Sequence, residues 1–335
     1  MPIFKIVSTI KTYKRLNTFK LKYTLQNFKY NSKVKHINSM CCYLCDSQSL
    51  IRSLNQKAIN FAGQIYAFFR CKKCGSYSLF PKLDQDIIAK LYSSEYSDIS
   101  CDLHEEDGIN YVSKFSELRK FLLTDTKSNR MLYLDYGCGF NPVTLGIASS
   151  VGLDYQGVEF SRDVVEQGSL IFPGRVVTVE DFNKTIEKYD YIFIGDVIEH
   201  LSTPIEVLGM LSTRLSSHGV LIAQGPLQGA FTVTQSLVNI KSRLFSRGIS
   251  YFPPYHVSLA TRKGMLRVLE ESNLELLQLK ISEPQWPAPS LSSVLKRPSI
   301  RGVIILTSKM LDKAISKFLP NYGTYYFIVA QNCVE

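Results

Sequence analysis

The sequence predicts an α/β protein with a doubly wound, mostly parallel sheet, preceded by a small metal-stapled ribbon. Three observations carry this. Apolar strand-like runs alternate with amphipathic helical stretches beyond residue 131, and the first run, Leu132-Tyr133-Leu134-Asp135, leads into glycines at Gly137 and Gly139. Upstream stand two Cys-x-x-Cys pairs, Cys42/Cys45 and Cys71/Cys74.

The strand patterns in order are Leu132 to Tyr136, Tyr155 to Glu159, Arg175 to Val179, Tyr189 to Asp196, Gly219 to Ala223, Leu274 to Ser282 and Gly323 to Ala330. Helical patterns fall between them at Asn141 to Ser150, Arg162 to Leu170, Thr203 to Leu215 and Thr261 to Glu271. In a doubly wound sheet ligands sit at the carboxyl ends of the strands. Asp135, Glu159, Asp181 and Asp196 fall at or just after such ends, so one cleft can collect them.

The turn after the first strand reads as a cofactor site. Glycines let backbone approach a ligand, and an acid ending the next strand, Glu159, suits the two hydroxyls of a ribose. A pyrophosphate-binding turn wants a small residue at the sixth position from Gly137, where this chain has Pro142. Asp135 repels a phosphate and suits an ammonium group instead. A tight turn without a ligand is the plain alternative at Gly137-Cys138-Gly139.

These residues resemble motif I of class I S-adenosylmethionine (SAM)-dependent methyltransferases, an acid, any residue, then Gly-x-Gly, although Asn141 stands where that family often has glycine. The resemblance implies a Rossmann-like, seven-stranded sheet, completed by the strand near Gly323 to Ala330. It implies SAM contacts from Asp135, Tyr136, Gly137, Cys138, Gly139, Glu159, Phe160 and Asp196, with Asp181 and Phe182 at the adenine. Asp196-Val197-Ile198-Glu199-His200-Leu201 resembles the segment after the fourth strand in small-molecule methyltransferases.

Methyl transfer to a hydroxyl needs a base near neutral pKa, so His200 and His256, with Glu199 beside them, are the candidate catalytic residues. Loop-capping histidines are the alternative. Asp196, Glu199, His200 and His256 also resemble an acid-x-x-Glu-His metal pattern of RNA 2′-O-methyltransferases and ubiquinone-pathway O-methyltransferases, which leaves a Mg2+-type ion open.

The paired knuckles at Cys42, Cys45, Cys71 and Cys74, with Gly75 following, read as a zinc ribbon. Four thiolates leave no open position, so the Zn2+ is structural. Cys41 could replace Cys42, and redox dithiols or buried thiols are the alternatives. A ribbon followed by Pro81, by Leu91-Tyr92-Ser93-Ser94-Glu95-Tyr96 and by a methyltransferase domain resembles bacterial enzymes that modify polysaccharides or sugar nucleotides. That implies a saccharide acceptor, methylated on oxygen. The rival readings are an idle SAM-binding scaffold and a metal-dependent RNA 2′-O-methyltransferase.

Composition bounds these readings. The 335 residues are 45% hydrophobic, enough for a full core, and eight cysteines without a signal-peptide pattern predict a reducing, cytoplasmic setting. The net charge of +10 is concentrated in residues 1–39, which hold nine Lys or Arg and no acid, leaving +1 for the rest. The body is therefore not expected to bind nucleic acid. The basic tail is a disordered arm, a membrane-surface anchor, a targeting segment or a non-native start, with Met40 the alternative initiator.

The expected domains are the tail (1–39), the ribbon (40–82), a helical linker (83–130) and the methyltransferase domain (131–335) with insertions at 227–255 and 287–320. Within the insertions Phe231 to Arg247 and Arg301 to Phe318 are amphipathic and basic. With Tyr251-Phe252-Pro253-Pro254 and Trp286-Pro287 they form a lid, pack on the sheet, or touch a membrane surface. No run is long enough to span a membrane.

Overall fold

The computed structural model describes residues 40–91, 114–125, 131–139, 142–245, 249–284, 291–296 and 298–333. The tail 1–39, the Tyr92–Tyr96 motif, much of the linker, Asn141 and Trp286-Pro287 lie outside them. Residues 40–335 form one compact unit.

Seven strands make the central sheet: β5 (Leu132–Tyr136), β6 (Asp154–Glu159), β7 (Val176–Thr178), β8 (Tyr189–Gly195), β9 (Leu215–Pro226), β12 (Leu274–Ser282) and β13 (Tyr325–Asn332), in the order β12-β13-β9-β8-β5-β6-β7. The pairs from β7 to β9 are parallel, while β13 runs antiparallel to both neighbours. The doubly wound, mostly parallel sheet predicted from the sequence is thus present. The chain leaves β5 in one direction toward β7 and returns beside β5 with β8. That reversal opens a crevice between the carboxyl ends of β5 and β8.

Strands buried on both faces read as continuous apolar runs, and alternate residues here feed two cores. Tyr133, Tyr191, Phe193 and Ile222 pack with Leu118 and Leu122 of α2 (Ser116–Asp125) and Leu145 of α3 (Val143–Ser150). Leu134, Ile192, Ile194 and Leu221 face the other way, onto Leu208 and Leu211 of α6 (Pro204–Ser212) and Val268 and Leu269 of α8 (Arg262–Glu271). Between them α4 (Arg162–Ile171) and the short α5 (Val179–Asn183) cover the β6–β7 edge.

Several sequence-expected bounds move for local reasons. The strand expected to reach Val179 stops at Thr178, whose hydroxyl accepts from the Asp181 amide and so starts α5. The helix expected to reach Leu215 ends at Ser212, and Leu215 already belongs to β9.

The second sheet is built on the ribbon: β1 (Leu50–Arg52), β2 (Ala58–Phe61), β3 (Gln64–Cys71) and β4 (Tyr77–Phe80), followed by α1 (Gln85–Leu91). Two short strands from far along the chain complete it. β10 (Ile249–Ser250) pairs with β2, and β11 (Ser258–Leu259) pairs with β4. Gly264 on α8 permits the contact, since a Cβ there would collide with the Ser76 hydroxyl. Thr261 seals it: its hydroxyl donates to the Cys74 carbonyl at 2.7 Å, and its amide donates to the Ser76 hydroxyl at 3.0 Å.

The insertions form α7 (Val233–Phe245), α9 (Leu291–Lys296) and α10 (Ile300–Phe318), with α7 packed on α10. Among the described residues, no helix is long and apolar enough to cross a membrane.

Candidate active site

At the end of β5, Asp135 is buried and accepts a hydrogen bond from the Thr144 hydroxyl of α3. Burial pushes its carboxyl up to about 7, with the Glu159 charge adding to the rise. Tyr136 is buried, its ring edge-on to Phe182. The chain then turns at Gly137, where φ is +85° and a Cβ would collide with Val197. The Gly137 and Cys138 amides donate to the Val158 carbonyl at 2.8 and 3.2 Å. Cys138 fills the space left by Gly157, and burial pushes its thiol up.

Gly139 differs from Gly137. It too has positive φ, +70°, but among the described residues nothing lies within 4 Å of where its Cβ would stand. Its amide donates to Glu159 Oε2 at 3.0 Å, and Glu159 Oε1 accepts from the Phe160 amide at 2.7 Å. The glycine turn and the β6 acid therefore form one continuous wall with open space before Gly139. Phe160, half exposed, stands at its edge.

The β7 end is arranged differently from the sequence expectation. The Asp181 carboxylate is exposed and engaged by Lys184 Nζ at 2.7 Å and the Thr178 hydroxyl at 2.9 Å. The Phe182 ring is 1% exposed and lies in the core against Tyr136 and Tyr189, with the Arg214 guanidinium over its face.

Across the crevice, Asp196 follows β8 with φ +53°, a conformation costly for a residue other than glycine. Three contacts hold it: its amide donates to the Gln224 carbonyl at 2.9 Å, Lys114 Nζ lies 2.8 Å from Oδ2, and the Tyr325 hydroxyl reaches both carboxylate oxygens at 2.9 and 3.0 Å. Burial keeps Tyr325 protonated. No sequence signal marks Lys114 or Tyr325; each is distant along the chain and stands in no motif.

The 3-10 turn Ile198–His200 comes next. Glu199 is buried, burial holds its carboxyl well above the usual range, and Oε2 has no hydrogen-bond partner among the described residues. His200 Nδ1 lies 2.8 Å from the Tyr255 carbonyl. A carbonyl only accepts, so Nδ1 carries the proton and Nε2 is the basic nitrogen. His256 Nδ1 lies 3.0 Å from Gln228 Oε1, and the two imidazoles meet edge to face at 4.8 Å. Burial lowers His200 to about 4 and His256 to about 3, so both are neutral at neutral pH.

Glu199, His200 and His256 each offer a donor atom to a common point, all within 4.8 Å of one another. Asp196, expected as a fourth member, stands outside this trio, because Lys114 and Tyr325 hold its carboxylate.

In the ribbon all four knuckle thiols are buried, with sulfurs 3.5 Å apart in Cys42/Cys74 and 3.6 Å apart in Cys45/Cys71. Four sulfurs at zinc-bond length around one centre lie about 3.8 Å from each other. The cluster uses Cys42 and leaves Cys41 outside. Gly75, at φ +80°, donates its amide to the Cys71 carbonyl, and the Lys73 amide points at Cys71 Sγ at 3.3 Å. These cysteines share a core cluster with Met265 and Val268 of α8.

A doubly wound sheet with one reversed strand, a glycine turn and acids gathered at the switch point defines a Rossmann-like cofactor-binding enzyme. The family model described as "Methyltransferase domain" matches residues 109–279, just over half of the chain. The chain belongs to the methyltransferase-domain family and is a SAM-dependent methyltransferase.

Similar solved structures include a SAM-dependent methyltransferase from Archaeoglobus fulgidus, 17% identical, covering 69% of this chain and 98% of that one at a TM-score of 0.46. The plantazolicin methyltransferase BamL, solved with a substrate analogue and SAH, is 13% identical, with 74% and 95% covered and a TM-score of 0.45. An O-methyltransferase of a Brevibacillus brevis trans-AT PKS multienzyme, solved with S-adenosyl-L-homocysteine, is 16% identical, with 76% and 81% covered and a TM-score of 0.40. No curated protein matches the sequence.

Proposed function

We propose that the protein methylates a hydroxyl of a sugar or saccharide intermediate, in the cytoplasm, with His200 as the base. The observation that supports the chemistry is the tautomer of His200, whose Nδ1 is held by the Tyr255 carbonyl so that Nε2 is the basic nitrogen of a neutral histidine pair. The acceptor class rests on the resemblance of the ribbon and methyltransferase combination to saccharide-modifying enzymes.

The cofactor wall comprises Asp135, Tyr136, Gly137, Cys138, Gly139, Glu159 and Phe160, with Asp196 opposite. The open space at Gly139 fits a ligand pressed against backbone. Glu159 retains lone pairs for ribose hydroxyls, and the exposed Asp181 borders the adenine end with Phe182 buried behind it. When bound, SAM supplies an electrophilic methyl group. His200 Nε2 takes the proton leaving the acceptor hydroxyl, and His256, kept neutral by burial, leaves that proton no competing cation to meet. A positioned base contributes about 10²–10⁴-fold when its pKa lies near the operating pH, and burial that lowers His200 to about 4 puts it at the lower end of that range. Glu199, protonated through burial, donates a hydrogen bond to the acceptor. The four ribbon cysteines hold a structural Zn2+.

Isotope-labelled SAM offered with candidate saccharides tests this. Label should appear on a sugar oxygen, and SAM binding without transfer to any saccharide would sink the acceptor assignment in favour of a scaffold.

A second reading has one observation behind it, the partnerless Glu199 Oε2 beside two histidines. Two imidazoles and a carboxylate suit a transition ion such as Zn2+ or Mn2+ better than Mg2+. Such an ion would lower the pKa of the acceptor hydroxyl. Activity that survives chelation, with ribbon zinc still measured in place, rules this reading out.

A further inference from the structure

The helices α7 and α10 carry an apolar face to the outside. On α10 the fully buried residues are the polar Ser308, Lys309 and Asp312, with Ile305, Leu306 and Ile315 half-buried, while Ile300, Ile304, Met310, Leu311 and Phe318 are exposed. Ile300 is 83% and Phe318 84% exposed. On α7 Val233, Thr234, Gln235 and Ser236 are half-buried, and Leu237, Val238 and Ile240 are exposed beyond an 81% exposed Phe231. An ordinary surface helix does the reverse.

The inversion is locked by specific bonds. Asp312 accepts from the amides of Val233 at 2.8 Å and Thr234 at 2.9 Å, capping α7 from another helix. The Tyr322 hydroxyl donates to the same carboxylate. Thr234 and Ser308 share a hydrogen bond at 3.0 Å, and Lys309 pairs with Glu283, which also accepts from Thr324. Flipping either helix would bury apolar side chains only by unpairing these groups, so the outward apolar face belongs to the fold.

Charge identifies what covers it. Residues 227–255 contain no acid, and Asp312, the single acid of residues 286–320, is buried. Lys241, Arg301, Lys313 and Lys317 stand exposed among the apolar side chains. Monomeric proteins seldom expose large contiguous apolar surface, and an apolar face dotted with cations matches a bilayer interface carrying anionic headgroups. A second copy of the chain fits poorly, because a two-fold contact would set these cations against themselves.

We propose that the α7–α10 face docks on an anionic membrane surface, the outward apolar side chains entering the headgroup boundary and the cations meeting lipid phosphates. Gln228, just ahead of α7, contacts His256, so the docked face is linked to the acceptor side of the crevice.

Sedimentation of the full chain with vesicles tests this, using phosphatidylcholine alone and phosphatidylcholine mixed with about 30% phosphatidylglycerol to supply the negative surface potential. Binding to the anionic vesicles should fall at least about tenfold in the Ile304→Glu/Met310→Glu variant and in Lys313→Glu/Lys317→Glu, while Lys263→Glu on α8 leaves it unchanged. All these side chains are exposed, and unchanged melting curves check the fold. Equal binding by wild type and both double variants would assign vesicle affinity to the basic residues 1–39 and overturn the proposal. So would absence of vesicle binding by the wild type, or a wild-type dimer that the Ile304→Glu/Met310→Glu variant splits without any change in vesicle binding.

Discussion

The amide of Val257 donates to the carbonyl of Glu199 at 2.8 Å, and the carbonyl of the same Val257 accepts from the Leu79 amide at 2.8 Å. One residue thereby joins the acid turn after β8 to the edge of the ribbon sheet. Its neighbour His256 lies two residues ahead of β11, which pairs with β4 of the ribbon, so the ribbon's integrity bears on the geometry of the histidine pair.

Disrupting the four-cysteine cluster should therefore unfold more than the ribbon. Cys42→Ala is expected to lose zinc and lower the melting temperature by about 10 °C or more, on the basis of about 4 kcal/mol lost from a chain of this size. Metal analysis and calorimetry measure both. A normal melting curve in a zinc-free protein would show that the thiols need no ion.

Gly264 tests the docking without touching a thiol. Gly264→Ala puts a Cβ into the Ser76 hydroxyl and should cost about 1–3 kcal/mol by overpacking. Gly209→Ala on α6, with nothing within 4 Å, should be neutral or stabilising by up to about 1 kcal/mol. Equal melting temperatures for the two variants would contradict the close packing of α8 on the ribbon.

His200→Gln should reduce turnover by about 10²-fold while SAM affinity, read by calorimetry, stays within a factor of about two. Asp135→Ala or Glu159→Ala should instead weaken SAM by about 10–100-fold, the scale of a charged hydrogen bond. The two outcomes separate base from cofactor wall.

The buried histidines predict a pH signature. Folded His200 and His256 titrate at about 4 and 3, below the ordinary 6.5, so the unfolded chain binds more protons between those values. Their contribution to stability is complete above pH 6.5 and is lost as pH falls through about 4. Asp135 and Glu199, raised by burial, act in the opposite sense. The signature is thus a difference: wild type should lose more stability than His200→Gln/His256→Gln between about pH 7 and pH 4, measured by denaturant melts.

Much of the architecture is legible from local pattern. Strands buried on both faces announce themselves as apolar runs, and Gly137 is required both by positive φ and by Val197, so its identity reads as a turn. The knuckles are legible because a Cys-x-x-Cys spacing by itself brings two thiols to one point. The strands β10 and β11 are not, since two residues show no periodicity and their pairing is with residues far away in the chain. Lys114 and Tyr325 escape for the same reason: Asp196 meets Tyr325 only when β13 inserts between β9 and β12, and meets Lys114 only when the segment ahead of α2 folds back onto the sheet.

Phe182 shows the limit within a motif. The Asp181-Phe182 pair reads as an adenine contact, but Thr178 caps a helix that turns the ring into the core. A motif names residues; a cap decides where they point.

By itself the sequence determined the alternation of strands and helices, the glycine turn and the four clustered thiols, because each follows from periodicity or spacing over a few residues. Only the tertiary structure decided that the ribbon sheet borrows β10 and β11, that Asp196 belongs to Lys114 and Tyr325, and that α7 and α10 face apolar side outward. An amphipathic pattern defines two faces of a helix. Which one is buried depends on the groups waiting inside, here the Asp312 and Glu283 networks contributed by other segments.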